Sequence, residues 1–288
     1  MSVLIESFGF GLVAAAVLAL AAVGFTLQFA VTNVLNLAYG GVMIVSAYAA
    51  YALNRAGVNI WIAAIAAIAA GAALSMFLNN VVYTPFKRRG TSPIAMVIVS
   101  LGMTLILVFG TQALAGPTNV SYTMSQGSTV KLGSIQLTAV QLVIIALAIV
   151  TMIGVHGLIR YTRLGKAMRA TAANRDLARN CGIRTDRVVT LTWLITGALC
   201  GLAGAAFAMN SGTFGATSTD VFLVLILAAV FLGGPGEPYG AMLGALVIGL
   251  ATEMSAAVIV SDYKDVIAFV ILLGMLAIRP NGLLGAPA

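Results

Sequence analysis

The chain has 288 residues, 61% hydrophobic and 8% charged, with a mean hydropathy of +1.06. These proportions exclude a soluble globular domain and describe a polytopic membrane protein. The formal charge of +7 is no nucleic-acid signature, because the interval 160–187 alone carries a net +6: Arg160, Arg163, Lys166, Arg169, Arg175, Arg179, Arg184 and Arg187 against Asp176 and Asp186.

Apolar runs near the twenty residues needed to cross a bilayer occur at 8–31, 37–54, 59–83, 94–115, 137–159, 188–209, 240–260 and 264–279. The first is too long for a signal-peptide core and is expected to be a retained span. The expected architecture is all-α in a single transmembrane domain, 1–288: eight full transmembrane helices plus a half-helix or ninth span at 221–233. That last segment is set apart because 221–260 as one straight helix would be about 60 Å long, twice the hydrocarbon thickness. The break is written in Gly233-Gly234-Pro235-Gly236-Glu237-Pro238-Tyr239-Gly240. If 221–233 crosses, Arg279 and the carboxy terminus share the side of the basic loop.

Lys and Arg near span ends resist translocation, so the 160–187 loop is expected in the cytoplasm. Counting back five spans puts the amino terminus outside and Lys87-Arg88-Arg89 inside, in agreement with the same rule. The polar interval 116–136 becomes an external loop. The excess charge also attracts anionic membrane lipid. Cys181 and Cys200 fall in unlike places and are expected to be free thiols.

Within the basic loop Asn174 is an N-cap, Asp176 sits in the first turn and Gly182 is a natural stop, which predicts a two-turn helix from Arg175 to Cys181. Leu177, Ala178 and Cys181 are expected on one side of it. So short a helix needs a partner surface.

Polar residues within apolar runs each require a partner or water. Thr26, Gln28, Thr32, Asn33 and Asn36 run through the junction of the first two spans, either lining a path for a zwitterionic solute or bonding between helices. Tyr39-Gly40 and Tyr239-Gly240 both follow a helix-breaking stretch, a pattern expected of an internal repeat whose paired breaks border a central route. Gln28, Asn33, Asn36, Tyr39, Glu237, Tyr239 and Glu253 are therefore the candidate lining. His156 reads as structural, and the GxxxG spacings Gly197/Gly201 and Gly240/Gly244 as close packing. Gly165-Lys166 lacks the remainder of a phosphate loop, and no catalytic or metal-ligand cluster stands out, so neither a catalytic role nor a bound cofactor or metal is expected.

Several stretches resemble the LivH-type permease subunits of ABC importers for branched-chain amino acids. TRLGKAMRATAANRDLARNCGI is similar to that family's cytoplasmic coupling segment, NVLNLAYGGVMIVSAYAA to its interrupted second span, LGGPGEPYGAMLGALVIGLATE to its Gly-rich element and RPNGLLG to its terminal motif. The resemblance implies a multi-pass permease of the bacterial inner membrane. Its partners would be a second, LivM-like permease, two cytoplasmic ATPases that hold ATP and Mg, and an external solute-binding protein. Coupling to the ATPases would fall to Arg169, Asn174, Arg175, Asp176, Leu177, Ala178, Cys181 and Gly182. Tyr39 stands where the family often has His, and Leu225 where a Lys commonly precedes the Gly-rich element, so the cargo stays open. The alternative from another class is an ion-coupled secondary transporter with Glu253 as its coupling group.

Overall fold

A computed structural model describes residues 2–124, 127, 129–132, 135–256, 264–278 and 282–284. The chain runs α1 (Ser2–Thr32), α2 (Ala38–Arg55), α3 (Ile60–Leu78), a π-helical turn (Asn79–Tyr83), α4 (Thr84–Arg88), α5 (Pro93–Ala115), β1 (Thr129–Leu132), β2 (Ile135–Thr138), α6 (Ala139–Tyr161), α7 (Arg163–Ala173), α8 (Arg175–Asn180), α9 (Thr185–Ser211), α10 (Ser218–Gly233), α11 (Pro238–Ala256) and α12 (Lys264–Ile278). Starts are capped as the sequence dictates. Ser92 accepts from the Ala95 N–H ahead of Pro93, and Thr138 forms a capping box with Gln141, which satisfies amides a helix leaves bare. Gly116, Gly212 and Gly234, with φ of 88°, 73° and 110°, close α5, α9 and α10.

Among the described residues six helices are long and apolar enough to span a bilayer: 6–32, 60–88, 93–115, 139–161, 185–211 and 238–256. α10 and the apolar part of α12 are shorter. The centre of the bundle is α1, whose apolar window is 78% buried, whereas that of α6 is only 22% buried. α6 and α5 instead turn Ile149, Val150, Ile153, Ile98, Ile106 and Phe109 outward, the composition of a surface that meets lipid tails. α1 packs on α11, α9 and α6, and α9 packs on α3.

Small residues set the closest approaches. A Cβ on Gly201 would lie 2.2 Å from the Ala67 carbonyl oxygen on α3, and one on Gly244 would lie 2.0 Å from that of Ala229 on α10. Both GxxxG spacings are helix contacts.

Three expectations change. The all-α reading misses a hairpin: β1 and β2 pair antiparallel with Thr129 opposite Thr138 and Leu132 opposite Ile135. Its signal was the alternation in TVKL and IQLT on either side of a Gly-Ser pair in the sequence. The span expected to stop at 83 continues through the π-turn to Arg88. In the basic loop, a second helix, α7, precedes the expected one, and Leu164, Met168 and Thr171 supply its inward stripe.

The two ends of the bundle differ. One carries α7, α8 and the end of α4; the other carries residues 116–124 and the β1–β2 pair, tied to the rest where Val120 bridges Phe214 and the Tyr122 hydroxyl donates to the Ala47 carbonyl at 2.9 Å. Arg279, which closes the last expected span and opens its terminal motif, lies outside the described residues. Gly282–Leu284 follows, and the amides of Leu283 and Leu284 donate to the carbonyls of Leu232 and Gly233 at the end of α10.

Candidate translocation and coupling site

The stretch between α1 and α2 is a built interruption. Asn33 adopts φ 52°, a left-handed conformation that Asn tolerates better than most residues. The exposed backbone then finds partners one by one. Thr32 Oγ1 donates to the Gln28 carbonyl at 2.6 Å and accepts from the Val34 amide at 3.3 Å. Ser100 Oγ on α5 accepts from the Leu37 amide and faces the Leu35 carbonyl, each at 3.2 Å. Asn36 Oδ1 accepts from the Ala38 amide at 3.1 Å, capping α2, and also from the Tyr83 hydroxyl, while its Nδ2 points to Gln28 Oε1 at 3.5 Å. Lys87 Nζ donates to the Thr32 carbonyl at 2.8 Å. Such pairing is what buried backbone at membrane depth demands.

The expected lining residues therefore separate. Gln28 and Asn36 are 2% and 1% exposed; Asn36 spends its side chain on the interruption itself, and Gln28 offers its Oε1 to Asn36 while its buried Nε2 has no partner among the described residues. Tyr39 is also buried; its ring meets Phe25 edge-on at 5.6 Å, and its hydroxyl sits where a Cβ on Gly24 would lie. By contrast, Asn33, Glu237 and Tyr239 share one cavity of about 1270 Å³ with Thr32, Lys87, Arg160, Arg169 and Arg175. Tyr239 is half-exposed there and its hydroxyl lies 2.8 Å from His156 Nδ1. Tyr39 and Tyr239 thus occupy unlike surroundings, one buried in the bundle and the other at a cavity wall, although Asn33 of the first interruption and Glu237 of the second border the same cavity. Glu253 stands about 22 Å along α11 from Pro238, partly buried, and lines neither this cavity nor the next. Leu225 packs against the core from α10.

A second cavity, about 570 Å³, lies on the other side of Lys87. It is bordered by Asn79, Asn80, Tyr83, Trp193, Arg179, Asp176 and Asp186, and shares Thr32, Lys87 and Arg175 with the first. Tyr83 and Trp193 stack at 4.8 Å on its wall.

α8 forms as its residues dictate. Asn174 Oδ1 accepts from the Leu177 amide at 2.9 Å, Asp176 lies in the first turn, and Gly182 at φ 85° closes the end. The Ile183 amide reaches the Ala178 carbonyl and the Gly182 amide that of Arg179, the paired bonds of a Schellman stop. Arg175 bridges to Asp186 at 3.0 Å and so ties α8 to the start of α9. The expected apolar face is divided: Leu177 and Cys181 are exposed, but Ala178 is buried against the subunit, since positions i and i+1 on a helix diverge by about 100°. Arg169 is exposed on α7. Sequence reasoning treated Lys87 only as a topological charge and passed over Tyr83 and Ser100. A Lys four residues after a Tyr at the end of a span, one turn apart, was the available signal for the first two.

The family model described as "Branched-chain amino acid transport system / permease component" matches residues 7–276. The chain belongs to this family. LivH, the high-affinity branched-chain amino acid transport system permease protein of Salmonella typhimurium, is 31% identical over 93% of this chain and 91% of its own length. BraD of Pseudomonas aeruginosa is 28% identical over 96% and 94%, and the ribose import permease protein RbsC of Escherichia coli K12 is 26% identical over 90% and 81%. No solved structure matches. The chain is thus a transport permease component, and the region common to the family takes in the interruption, both cavities and α7–α8.

Proposed function

We propose that this chain forms the translocation path of an ATP-driven importer for branched-chain amino acids, working with a second, LivM-like permease, two ATPase subunits that supply ATP and Mg, and an external solute-binding protein. The observation that carries the reading is the partnered interruption between α1 and α2, bordered by a cavity that also meets α7, the start of α8 and Glu237, in a chain matched almost throughout by a permease family. In this reading the end bearing α7 and α8 faces the bacterial cytoplasm, as its arginines require. The chain crosses the inner membrane nine times, with α2, α10 and α12 as the short crossings, so the amino terminus is outside and the carboxy terminus inside. The internal repeat of this reading pairs Tyr39-Gly40 at the start of α2 with Tyr239-Gly240 at the start of α11.

Reconstituted with its partners, the complex takes up leucine, isoleucine or valine only with ATP and binding protein. Uptake by the chain alone under a proton or sodium gradient would establish the ion-coupled alternative, and ATP-dependent uptake of ribose instead would reassign the cargo. Cys181, exposed on the α8 stop, is labelled by an impermeant thiol reagent only after the membrane is opened. Ala56→Cys, at an exposed position beyond α2, is labelled from outside in a Cys181→Ser background. The reverse pattern would overturn the orientation.

A further inference from the structure

Among the described residues, the Thr32 carbonyl at the end of α1 is held by a side chain from far along the sequence. The last carbonyls of a helix have no partner within it and carry the negative end of its dipole. At Thr32 the partner is Lys87 Nζ, 2.8 Å away. Lys87 reaches this point because of the π-turn at Asn79–Tyr83. A π-turn holds one residue more than an α-turn, which rotates the following segment by roughly 100° relative to a plain continuation. The last residue of the turn and the helix after it deliver two side chains, one turn apart, to opposite sides of the same interruption. Tyr83 holds Asn36 at the start of α2, and Lys87 holds Thr32 at the end of α1.

Lys87 also touches the coupling segment's neighbourhood. It lines both cavities together with Arg175, the first residue of α8, and the two like charges lie within electrostatic reach of each other. Arg175 is fixed in turn by Asp186 on α9. A displacement of α8 relative to α9 thus alters what Lys87 faces, and Lys87 is the cation on the α1 terminus.

We propose that Lys87 is a latch that couples movement of α7–α8 to the α1–α2 interruption, a positioning residue that acts through the Thr32 carbonyl. The proposal rests on the importer reading. With α8 in the position described here the latch is closed and α1 ends at Thr32. When the ATPases shift α8, the Arg175–Asp186 pair moves and Lys87 leaves Thr32, which loosens the α1 end of the 33–37 segment beside the larger cavity while Ser100 and Tyr83 keep hold of Leu37 and Asn36.

The test uses the complete reconstituted complex, with leucine uptake and ATP hydrolysis measured on the same preparation. Absence of ATP-dependent uptake by the unsubstituted complex would count against the importer reading, separately from the latch. In Lys87→Met, the solute moved per ATP hydrolysed falls at least tenfold while hydrolysis continues. Lys87→Arg, which keeps a donor within reach of Thr32, restores most of that ratio. A direct readout is thiol labelling at Asn33→Cys in a Cys181→Ser background. The rate changes between resting and vanadate-trapped complexes when Lys87 is present and becomes independent of nucleotide in Lys87→Met. An unchanged ratio in Lys87→Met, an Arg variant no better than Met, or loss of assembly in both variants would each overturn the latch.

Discussion

Gly201→Ala adds one methyl group where α9 meets α3, and the structure fixes how large the effect should be. The new Cβ would lie 2.2 Å from the Ala67 carbonyl oxygen, 2.8 Å from its carbon and 3.0 Å from the Ile68 Cα. Ordinary contact begins at about 3.5 Å, so the two helices must part by about 1 Å, and every obstructing atom is backbone that no rotamer change can clear. Separation also strips the reciprocal contacts of Gly71 and Gly197, where added Cβ atoms would meet the Gly197 and Gly71 carbonyl oxygens at 2.4 and 2.5 Å. Overpacking costs about 1–3 kcal/mol and more where nothing flexible yields, so ~3 kcal/mol is expected, roughly a 150-fold change in the folded-to-unfolded ratio. For a chain of this size that lowers the melting temperature by about 5 °C. The control is Gly154→Ala on α6, where a Cβ meets nothing within 4 Å and helix propensity offers a gain of about 1 kcal/mol. Melting of the solubilised protein, followed by fluorescence-detected size exclusion, separates the two. If Gly201→Ala melts within about 2 °C of Gly154→Ala, the close crossing of α3 and α9 is not what holds them.

Leu177→Asp places a charge on an exposed part of α8; transport should be lost with membrane insertion intact, whereas Ala178→Asp, at a buried position, should reduce the amount of folded subunit. Asn36→Leu leaves the Tyr83 hydroxyl and the Ala38 amide without their acceptor, at about 1–3 kcal/mol for each orphaned group, so thermal stability should fall along with transport; a fully stable variant with slow transport would make Asn36 a lining residue after all. Tyr239→Phe removes one partly exposed hydrogen bond to His156, and a stability change of about 1 kcal/mol or less is expected, with any larger loss of leucine uptake assigning the pair a role in the path.

The long apolar helices, the orientation signal and α8 with its cap and stop could be read directly, because each depends on residues adjacent in the chain: a twenty-residue apolar run, a cluster of arginines, an Asn before and a Gly after. The interruption at 33–37 was legible as polar residues in an apolar context, but its meaning was not. Whether Asn36 faces a solute or a neighbouring helix depends on Tyr83, 47 positions away, and no local pattern reports where a distant hydroxyl will point. The same distance hid Lys87. Its charge has a sufficient topological explanation, and only the π-turn before it shows that the side chain is directed at α1. The hairpin and α7 were missed for a different reason: both are short periodic patterns inside an interval whose polarity already marked it as a loop.

The two interruptions are held in different ways, and the difference bears on which of them can move. The end of α10 is fastened by two backbone bonds, from the amides of Leu283 and Leu284 to the carbonyls of Leu232 and Gly233. Gly282, at φ 78°, lies so close that an added Cβ would stand 2.5 Å from the Gly234 nitrogen. Releasing that end would require two chain segments to part together. At the end of α1 the Phe29 carbonyl accepts from the Asn33 amide and that of Gln28 from Thr32 Oγ1, but the Thr32 carbonyl is fastened by a flexible ammonium on a four-carbon stem, which three rotatable donors and a hydrated charge allow to exchange a carbonyl for water at small cost. The left-handed Asn33 next to it stores strain that a change of path relieves. A permease that must open and reclose needs one side of its path fixed and one side releasable. The releasable end is the one that borders both cavities and shares them with the first residue of α8, so motion driven from the basic loop meets the weaker fastening first.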